Sequence, residues 1–293
     1  MSFDPINLTP QPRILAILGE IPLEPWQCLA ELIDNSIDDL KQRNARDDAA
    51  TLEINISVSE ENVRGDRYLT ISDNGSGMEL SDLERSLRAG YSSKQRYGTL
   101  GLFGMGFNIA TARLGRSTTV TTKTATSKSA LSVTIDFQEI EKNDSFMVYP
   151  TEIQDPDFEH GTIVRIRLKN DYKELARVES QRKIRQNLGK VYSYLLREGV
   201  PGLKPDMSSQ HAVTINYQGE PVTPYLPCIW DQSRSVRHSG EEVTAVQYID
   251  KVLAEATACL DCGYWDYNNG PENCEECSSA NLEVRERRIW GWL

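Results

Sequence analysis

The chain has 293 residues, of which 39% are hydrophobic, and a formal net charge of -11. This length predicts roughly two domains, and the apolar fraction is ample for packed cores. The acidic balance excludes a surface that is basic all round and binds nucleic acid without regard to sequence. No run approaches the roughly 18 apolar residues of a membrane span, and the apolar run 14–18 is too short for a signal peptide. We therefore expect a cytoplasmic protein with no membrane partner.

A local excess of positive charge lies between Ile163 and Lys204, where eleven Lys or Arg residues accompany four Asp or Glu residues. Two interpretations stay open for it. It is either a basic patch that binds nucleic acid or a solvated helix face.

The predicted elements alternate between helix and strand along the chain. An arm rich in Pro and apolar residues precedes a helix that begins at about Pro25. Period-two alternation and β-branched residues predict strands at 51–59, 67–73, 117–124, 130–137, 161–169 and 211–222. Helical spacing predicts helices at 81–90, with Ser81 as a cap, in the second half of 102–115, and at 173–197. Consecutive strands joined by short turns favour an α+β sandwich, with helices on one face of a mixed sheet.

The first long helix carries an unusual concentration of acid. In the segment LAELIDNSIDDL, residues 29–40, apolar residues fall on one arc and acidic residues on the other. Glu31, Asn35 and Asp38 recur at i, i+4 and i+7, so they share one narrow strip. The acids either face solvent, as most charged helix faces do, or hold a hydrated Mg²⁺, which takes oxygen ligands together with nucleotide phosphates.

A strand that ends in Asp73 is followed by Gly75 and Gly77. Glycines permit turns with positive φ and let a flat ring approach the backbone. A carboxylate at such a strand end can accept a hydrogen bond from the exocyclic amine of adenine. The other interpretation of DNGSG is a plain turn.

A second glycine-rich segment, with glycines at 98, 101, 104 and 106, runs directly into a helix. The N–H groups and the dipole at a helix N-terminus favour a phosphate. The spacing G-x-x-G-x-G is neither the dinucleotide motif nor the Walker motif. A flexible loop without a ligand is the alternative.

The order of these motifs resembles the four ATP motifs of the GHKL superfamily, which covers gyrase B, MutL, the large heat-shock chaperones, MORC proteins and histidine kinases. They are E-x-x-x-N at Glu31, D-x-G-x-G at Asp73, G-x-x-G-x-G at Gly101, and a Thr that enters a strand at Thr162. The resemblance covers roughly residues 22–168. Within the hydrolysing branch, the sequence is most similar to the MORC group and its prokaryotic relatives. The resemblance implies a Bergerat-type ATP domain over residues 1–170.

The resemblance also implies roles for single residues. Glu31 would be the general base of Mg²⁺-dependent ATP hydrolysis. The hydrolysing branch of the superfamily keeps Glu at this place, whereas histidine kinases usually carry Asn there and pass phosphate to a His. Asn35 would ligate Mg²⁺, and Asp73 would read the adenine amine. Lys94 would reach phosphates held by glycines in a mobile lid. The implied nucleotide contacts are Asn35, Asp38, Asp73, Gly75, Gly77, Met78, Ser93, Lys94, Gly101, Leu102, Phe103, Gly104, Met105, Gly106, Phe107 and Thr162.

Partners follow from the same resemblance. An ATP-dependent homodimer that acts as a DNA-associated clamp, in chromosome work or in defence against foreign DNA, is the first hypothesis. A protein-remodelling chaperone is the second. The third is an interaction module that is switched by the binding of ATP and never hydrolyses it.

The second half, residues 171–293, resembles the start of the transducer domain that follows the ATP domain in this branch; a generic helix and hairpin is the alternative. No transducer Lys or Arg can be placed, and we expect it beyond Leu293. Cys28 and Cys228 are predicted to be buried thiols. His160, His211 and His238 show no ligand spacing and are interpreted as incidental.

A pair of C-x-x-C knuckles interrupts this half, with Cys259 and Cys262 separated by eleven residues from Cys274 and Cys277. Two such knuckles predict a structural, tetrahedral Zn²⁺ in a zinc ribbon at 257–280. Four thiolates leave no open position for a reacting water, so a catalytic zinc is disfavoured. A redox pair or an iron centre are the alternatives.

Overall fold

The computed structural model describes residues 9–44, 52–90, 104–193, 195–196, 213–225, 234–244, 248–267 and 270–292. Its helices are α1 (Ile14–Leu18), α2 (Pro25–Asn44), α3 (Leu80–Leu87), α4 (Gly106–Leu114), α5 (Phe137–Lys142) and α6 (Val178–Val191), with a 3-10 helix at Asn170–Ala176. Its strands are β1 (Leu52–Val58), β2 (Tyr68–Asp73), β3 (Gly115–Lys123), β4 (Ala130–Asp136), β5 (Thr151–Ile153), β6 (Gly161–Leu168), β7 (Val213–Tyr217), β8 (Glu220–Pro221), β9 (Ser235–His238), β10 (Glu241–Thr244), β11 (Tyr248–Cys259), β12 (Trp265–Asp266) and β13 (Leu282–Trp292). Within these ranges, no helix has the length and apolar character needed to cross a membrane.

Eight strands form one mixed sheet in the order β5-β4-β3-β6-β2-β1-β7-β8. Neighbouring strands are antiparallel except for β1 and β7, which run parallel with Ile54 beside Ile215. The end of β2 lies beside the start of β6, because Asp73 pairs with Thr162. The mixed sheet and its helices confirm the predicted α+β class. They place the motif at Asp73 beside the motif at Thr162, where β2 ends and β6 begins.

The core lies between the sheet and α2, α4 and α6. Along β1 the side chains alternate between buried and exposed, and Leu52 and Ile54 are fully buried. From the opposite side, Leu29 and Ile33 of α2 are fully buried in the same cluster. Each fully buried Leu or Ile contributes roughly 1.5–3 kcal/mol. This apolar side fixes the rotation of α2 and so determines where its acidic residues point.

Three local predictions need correction. The predicted helix 173–197 is only partly correct, since extended backbone at Arg177 separates the 3-10 helix from α6. Ser81 does not cap α3, which begins at Leu80 without a side-chain cap bond. The predicted strand 130–137 ends one residue early, because the Asp136 carboxylate accepts hydrogen bonds from the first N–H groups of α5.

The eight-stranded sheet continues beyond the predicted domain boundary at residue 170, since β7 and β8 border β1. The division into 1–170 and 171–293 stays a prediction, and the sheet does not mark it. Further along the chain, β9 pairs with β10, and β12, β11 and β13 form a separate antiparallel sheet. The four clustered cysteines lie at the end of the long hairpin of β11 and β13, with Cys259 as the last residue of β11 and the other three between the two strands.

Candidate functional site

The acid-bearing side of α2 is not uniformly solvated. Asn35 is exposed, but Asp38 is only 3% exposed. The hydroxyl oxygen of Tyr192 lies 2.7 Å from Asp34 Oδ1 and 3.0 Å from the carbonyl oxygen of Ala30, and its single hydrogen is shared between these two acceptors. Burial and the nearby Asp34 carboxylate raise the pKa of Tyr192 above its usual range. The solvated-face interpretation is therefore wrong for Asp38, and Asp34 has a structural partner.

Glu31 lies against the start of α4. A Cβ built on Gly106 would come within 1.9 Å of Glu31 Oε2, so only a residue without a side chain leaves the carboxylate in this position. Gly106 is the first residue of α4, where backbone N–H groups lack partners within the helix and the dipole is positive. Two of the predicted motifs thus meet, with the candidate base beside the candidate phosphate-binding helix end.

The carboxylate of Asp73 is held from three directions. Oδ2 accepts a 2.8 Å hydrogen bond from the hydroxyl of Ser36 on α2. Oδ1 accepts hydrogen bonds from the backbone N–H of Gly75 at 2.9 Å and of Thr162 at 3.2 Å. Bonds to both oxygens fix the orientation of the carboxylate. The structure therefore brings together four residues from α2, from the end of β2, from the loop after it and from β6.

Two close backbone approaches shape the loop after Asp73. Gly77 has φ of +69°, and a Cβ on it would lie 1.9 Å from the carbonyl oxygen of Lys123. Gly161 has φ of +118°, and a Cβ on it would lie 2.0 Å from the carbonyl oxygen of Asp73. At both positions the conformation and the missing side chain are required. The plain-turn interpretation does not account for this crossing of three segments.

Two residues of this site were missed by the sequence interpretation. His160 was interpreted as incidental, but its Nδ1 donates a 2.7 Å hydrogen bond to the carbonyl of Gly75. Thr122, fully buried in β3, accepts a 2.9 Å hydrogen bond from the backbone N–H of Met78. These contacts link positions 85 and 44 residues apart. No local pattern signals them.

The start of α4 has features that fit an anion. Gly104 has φ of +61°, and its carbonyl accepts a 3.0 Å hydrogen bond from the N–H of Gly90. Asn108, in the first turn, is 3% exposed, and its Nδ2 has no partner among the described residues. A buried amide donor without a partner costs free energy. Phosphate oxygens, which only accept, match the chemistry of such donors.

The remaining predicted contacts divide into two groups. Met105 and Phe107 are partly buried and pack against the apolar clusters beside α4. Five predicted contacts lie outside the described residues: Ser93, Lys94, Gly101, Leu102 and Phe103. The burial predicted for Cys28 is confirmed, since it is fully buried and burial raises the pKa of its thiol to about 12. Cys228 also lies outside the described residues.

A second candidate site is the cysteine cluster at the end of the β11–β13 hairpin. The sulfur atoms of Cys259, Cys262, Cys274 and Cys277 all lie within 4.8 Å of one another. Sγ of Cys259 is 3.6 Å from Sγ of Cys277, and Sγ of Cys262 is 3.5 Å from Sγ of Cys274. Four sulfurs at about 2.3 Å from one zinc ion, placed tetrahedrally, would be about 3.8 Å apart. The donor set and its spacing fit such an ion.

The two knuckles have the same backbone geometry. In each, the N–H four residues after the first cysteine donates a 2.8 Å bond to that cysteine's carbonyl, from Gly263 and from Ser278. Both donors have positive φ, +74° and +59°. Desolvation opposes ionisation of Cys259, but backbone hydrogen bonds from Cys262 and Asp261 outweigh it and lower the pKa of its thiol to about 7. Two of the other thiols do not follow this pattern, since burial raises the pKa of Cys262 to about 12 and the pKa of Cys277 is also raised. Thiolate is the form that binds metal.

Comparison with known proteins agrees with this geometry. Residues 23–162 match the family described as histidine kinase-, DNA gyrase B-, and HSP90-like ATPase. The chain therefore contains a GHKL ATPase domain, and the predicted resemblance is confirmed. This domain belongs to the class of ATP-binding domains of mixed α+β structure.

Similar curated proteins come from Arabidopsis thaliana. Protein MICRORCHIDIA 7 is 37% identical over 87 residues, which is 29% of this chain and 11% of the relative. Protein MICRORCHIDIA 1 is 34% identical over 88 residues, 30% of this chain and 13% of the relative. Protein MICRORCHIDIA 3 is 36% identical over 97 residues, 32% of this chain and 15% of the relative. The predicted likeness to the MORC group is thus confirmed, although the similarity spans only a small part of each relative.

Proposed function

We propose that this domain binds ATP with Mg²⁺ and hydrolyses it, with Glu31 as the general base. The observation that carries the proposal is the Asp73 carboxylate, held on both oxygens by Ser36, Gly75 and Thr162. A carboxylate fixed in this way is a preorganised acceptor for the amine of adenine, and preorganisation lowers the cost of binding. Glu31 beside the N-terminus of α4 adds a base next to an anion-binding helix end.

The other ligand contacts are part of the same proposal. Asn35, exposed on α2, would ligate Mg²⁺ through its amide oxygen, and buried Asp38 would support it from the next turn. Gly104 and Gly106 would present backbone N–H groups to the phosphates, together with Gly101 and Lys94. The metal, when bound, neutralises phosphate charge.

We further propose that nucleotide binding closes a lid and drives dimerisation of a DNA-associated clamp of the MORC type. The similarity to the MICRORCHIDIA proteins and to the family that includes DNA gyrase B supports this assignment. A chaperone that remodels proteins and a nucleotide switch without hydrolysis are the competing proposals. A cluster of four thiols fits a reducing compartment better than a disulfide framework does, which supports a cytoplasmic location.

Sizing the protein in solution tests this part of the proposal. With Mg²⁺ and a non-hydrolysable ATP analogue, we expect the apparent mass to double. Duplex DNA in a further run should co-elute with the dimer and stimulate ATP turnover, in a salt-sensitive manner. A dimer indifferent to DNA favours the chaperone. ATP binding without any turnover favours the switch, and a monomer in every run contradicts the clamp.

Replacing Asp73 with Asn tests the adenine site itself. The amide puts a donor where the structure has an acceptor, so we expect ATP to bind at least tenfold more weakly, on the order of the loss of one charge-assisted hydrogen bond. Titration calorimetry measures the change. Asp66→Asn is the matched control, because Asp66 precedes the same strand and bonds to Arg167 instead. Equal ATP affinity in wild type and Asp73→Asn would remove Asp73 from the adenine pocket.

For the cysteine cluster, we propose one structural Zn²⁺ held by Cys259, Cys262, Cys274 and Cys277 in a ribbon at 257–280. The equivalent geometry of the two knuckles supports this proposal. We propose that the ribbon belongs to a transducer-like domain at residues 171–293, on the resemblance described above.

A further inference from the structure

The hydroxyl of Thr122 lies at the point where three segments of the nucleotide site cross. It accepts a 2.9 Å hydrogen bond from the N–H of Met78 and lies 3.1 Å from the carbonyl oxygen of Gly161. It also lies 3.1 Å from the hydroxyl oxygen of Thr162. Thr122 itself is fully buried, so water does not compete for these contacts.

The donors and acceptors at this point allow one arrangement that satisfies all three contacts. A hydroxyl has one hydrogen to donate and two lone pairs to accept with. Since a carbonyl can only accept, the hydrogen of Thr122 goes to Gly161. Its lone pairs then accept from the N–H of Met78 and from the hydroxyl of Thr162. The hydrogen of Thr162 is thereby committed to Thr122, which leaves the lone pairs of Thr162 as acceptors toward the site.

The surrounding backbone leaves little freedom to replace this link. Gly77 and Gly161 make the close approaches described above, and both have positive φ. Thr162 also donates its backbone N–H to Asp73. One buried hydroxyl therefore connects the loop after β2 with the residue that helps to hold the Asp73 carboxylate.

We propose that Thr122 is a positioning residue for the nucleotide. Through Met78 and Thr162 it sets the adenine-binding loop and the direction of the Thr162 hydroxyl before ATP arrives. This inference rests on the proposed function, because it concerns the same site. A preset loop lowers the ordering cost of binding. We therefore expect replacement of Thr122 to weaken ATP binding. The rate of ATP turnover should not change, because the reacting groups near Glu31 are not altered.

The same strand offers a matched control. Thr118 lies four residues earlier in β3, is also fully buried, and its Oγ1 has no partner among the described residues. Replacing Thr by Val removes a hydroxyl at nearly constant shape. At position 122 the change breaks three contacts, and at position 118 it removes a hydroxyl that makes no hydrogen bond to any described residue. Any general effect of a buried Thr→Val change is therefore measured by the control.

The experiment compares wild type, Thr122→Val, Thr122→Ser and Thr118→Val in the full chain. Calorimetric titration with a non-hydrolysable ATP analogue and Mg²⁺ gives the affinity, and thermal melting confirms that each variant is folded. We expect about tenfold weaker binding for Thr122→Val, affinity restored by Thr122→Ser, and wild-type affinity for Thr118→Val. Steady-state kinetics should show a raised KM with an unchanged kcat.

The outcomes separate this inference from the function on which it rests. If wild type does not bind the analogue, the proposed function fails and the inference fails with it. If wild type binds, and Thr122→Val binds as tightly as Thr118→Val, only the role of Thr122 is overturned. Should Thr122→Val not fold, Thr122→Cys replaces it, because a thiol is a weaker hydrogen-bonding group and the expected loss is smaller but in the same direction.

Discussion

The Glu31→Gln variant should release phosphate about 10²- to 10⁴-fold more slowly than wild type, which is the contribution typical of a general base. Its affinity for ATP should stay within about twofold, because Gln keeps the size and shape of Glu, although it loses both the negative charge and the ability to take a proton. Phosphate release under saturating ATP and titration with a non-hydrolysable analogue measure the two quantities separately. A fall in kcat without a change in binding is the pattern of a group that acts in the transition state.

Two further variants control this result. Glu24→Gln changes an exposed carboxylate just before the same helix and should leave turnover unchanged. Gly106→Ala adds a methyl group that would lie 1.9 Å from Glu31 Oε2, so it should displace the carboxylate and slow turnover although Glu31 itself is intact. If Glu31→Gln loses binding and turnover to the same extent, Glu31 holds the nucleotide and is not the base.

Removing zinc should disrupt the end of the β11–β13 hairpin. We expect one zinc ion per chain in the purified protein and none after treatment with a strong chelator, with loss of amide protection in residues 257–280. The polar loop between the knuckles cannot build its own core, and structural zinc sites supply on the order of 10 kcal/mol of folding free energy. Elemental analysis and hydrogen exchange measure the two effects.

Substitutions separate the cluster from the other thiols. Cys274→Ser should lower the zinc content to well below one ion per chain, because a hydroxyl is a poor zinc ligand. Cys28→Ala should keep the zinc, since Cys28 is buried in α2 among residues of the main core. A full zinc content in Cys274→Ser, or iron in place of zinc, would contradict the proposed ribbon.

Much of the fold was predictable because its signals are local. Alternation of apolar and polar residues predicted β1 and β2, and the structure confirms both strands and pairs them as antiparallel neighbours. The positions of β3 and β6 were predicted equally well from β-branched runs. The break at Arg177 and the Asp136 cap of α5 were not predicted, because each depends on backbone conformation at one residue, which composition does not specify.

The candidate site was predictable in its residue types and only partly in its contacts. Spacing along the chain identified Glu31, Asp73 and the glycines. It did not show that Gly106 makes room for the Glu31 carboxylate, or that Ser36 bonds to Asp73. The hydrogen bond of His160 to Gly75 was not predicted, since the two residues are 85 positions apart along the chain. A side chain's role is invisible in the sequence when its partner is distant along the chain.

By itself the sequence determined most of the helices and strands between residues 25 and 222, although not α5 or β5, and it determined the two cysteine knuckles and the four nucleotide motifs. Each of these depends on residues that lie close together along the chain. Only the tertiary structure decided that β7 extends the sheet beside β1, that Asp38 is buried, and that Thr122 joins Met78 to Thr162. The physical reason is that packing and hydrogen bonding act between segments that are close in space but distant along the chain. A short-range sequence pattern does not show which distant segment will pack beside it.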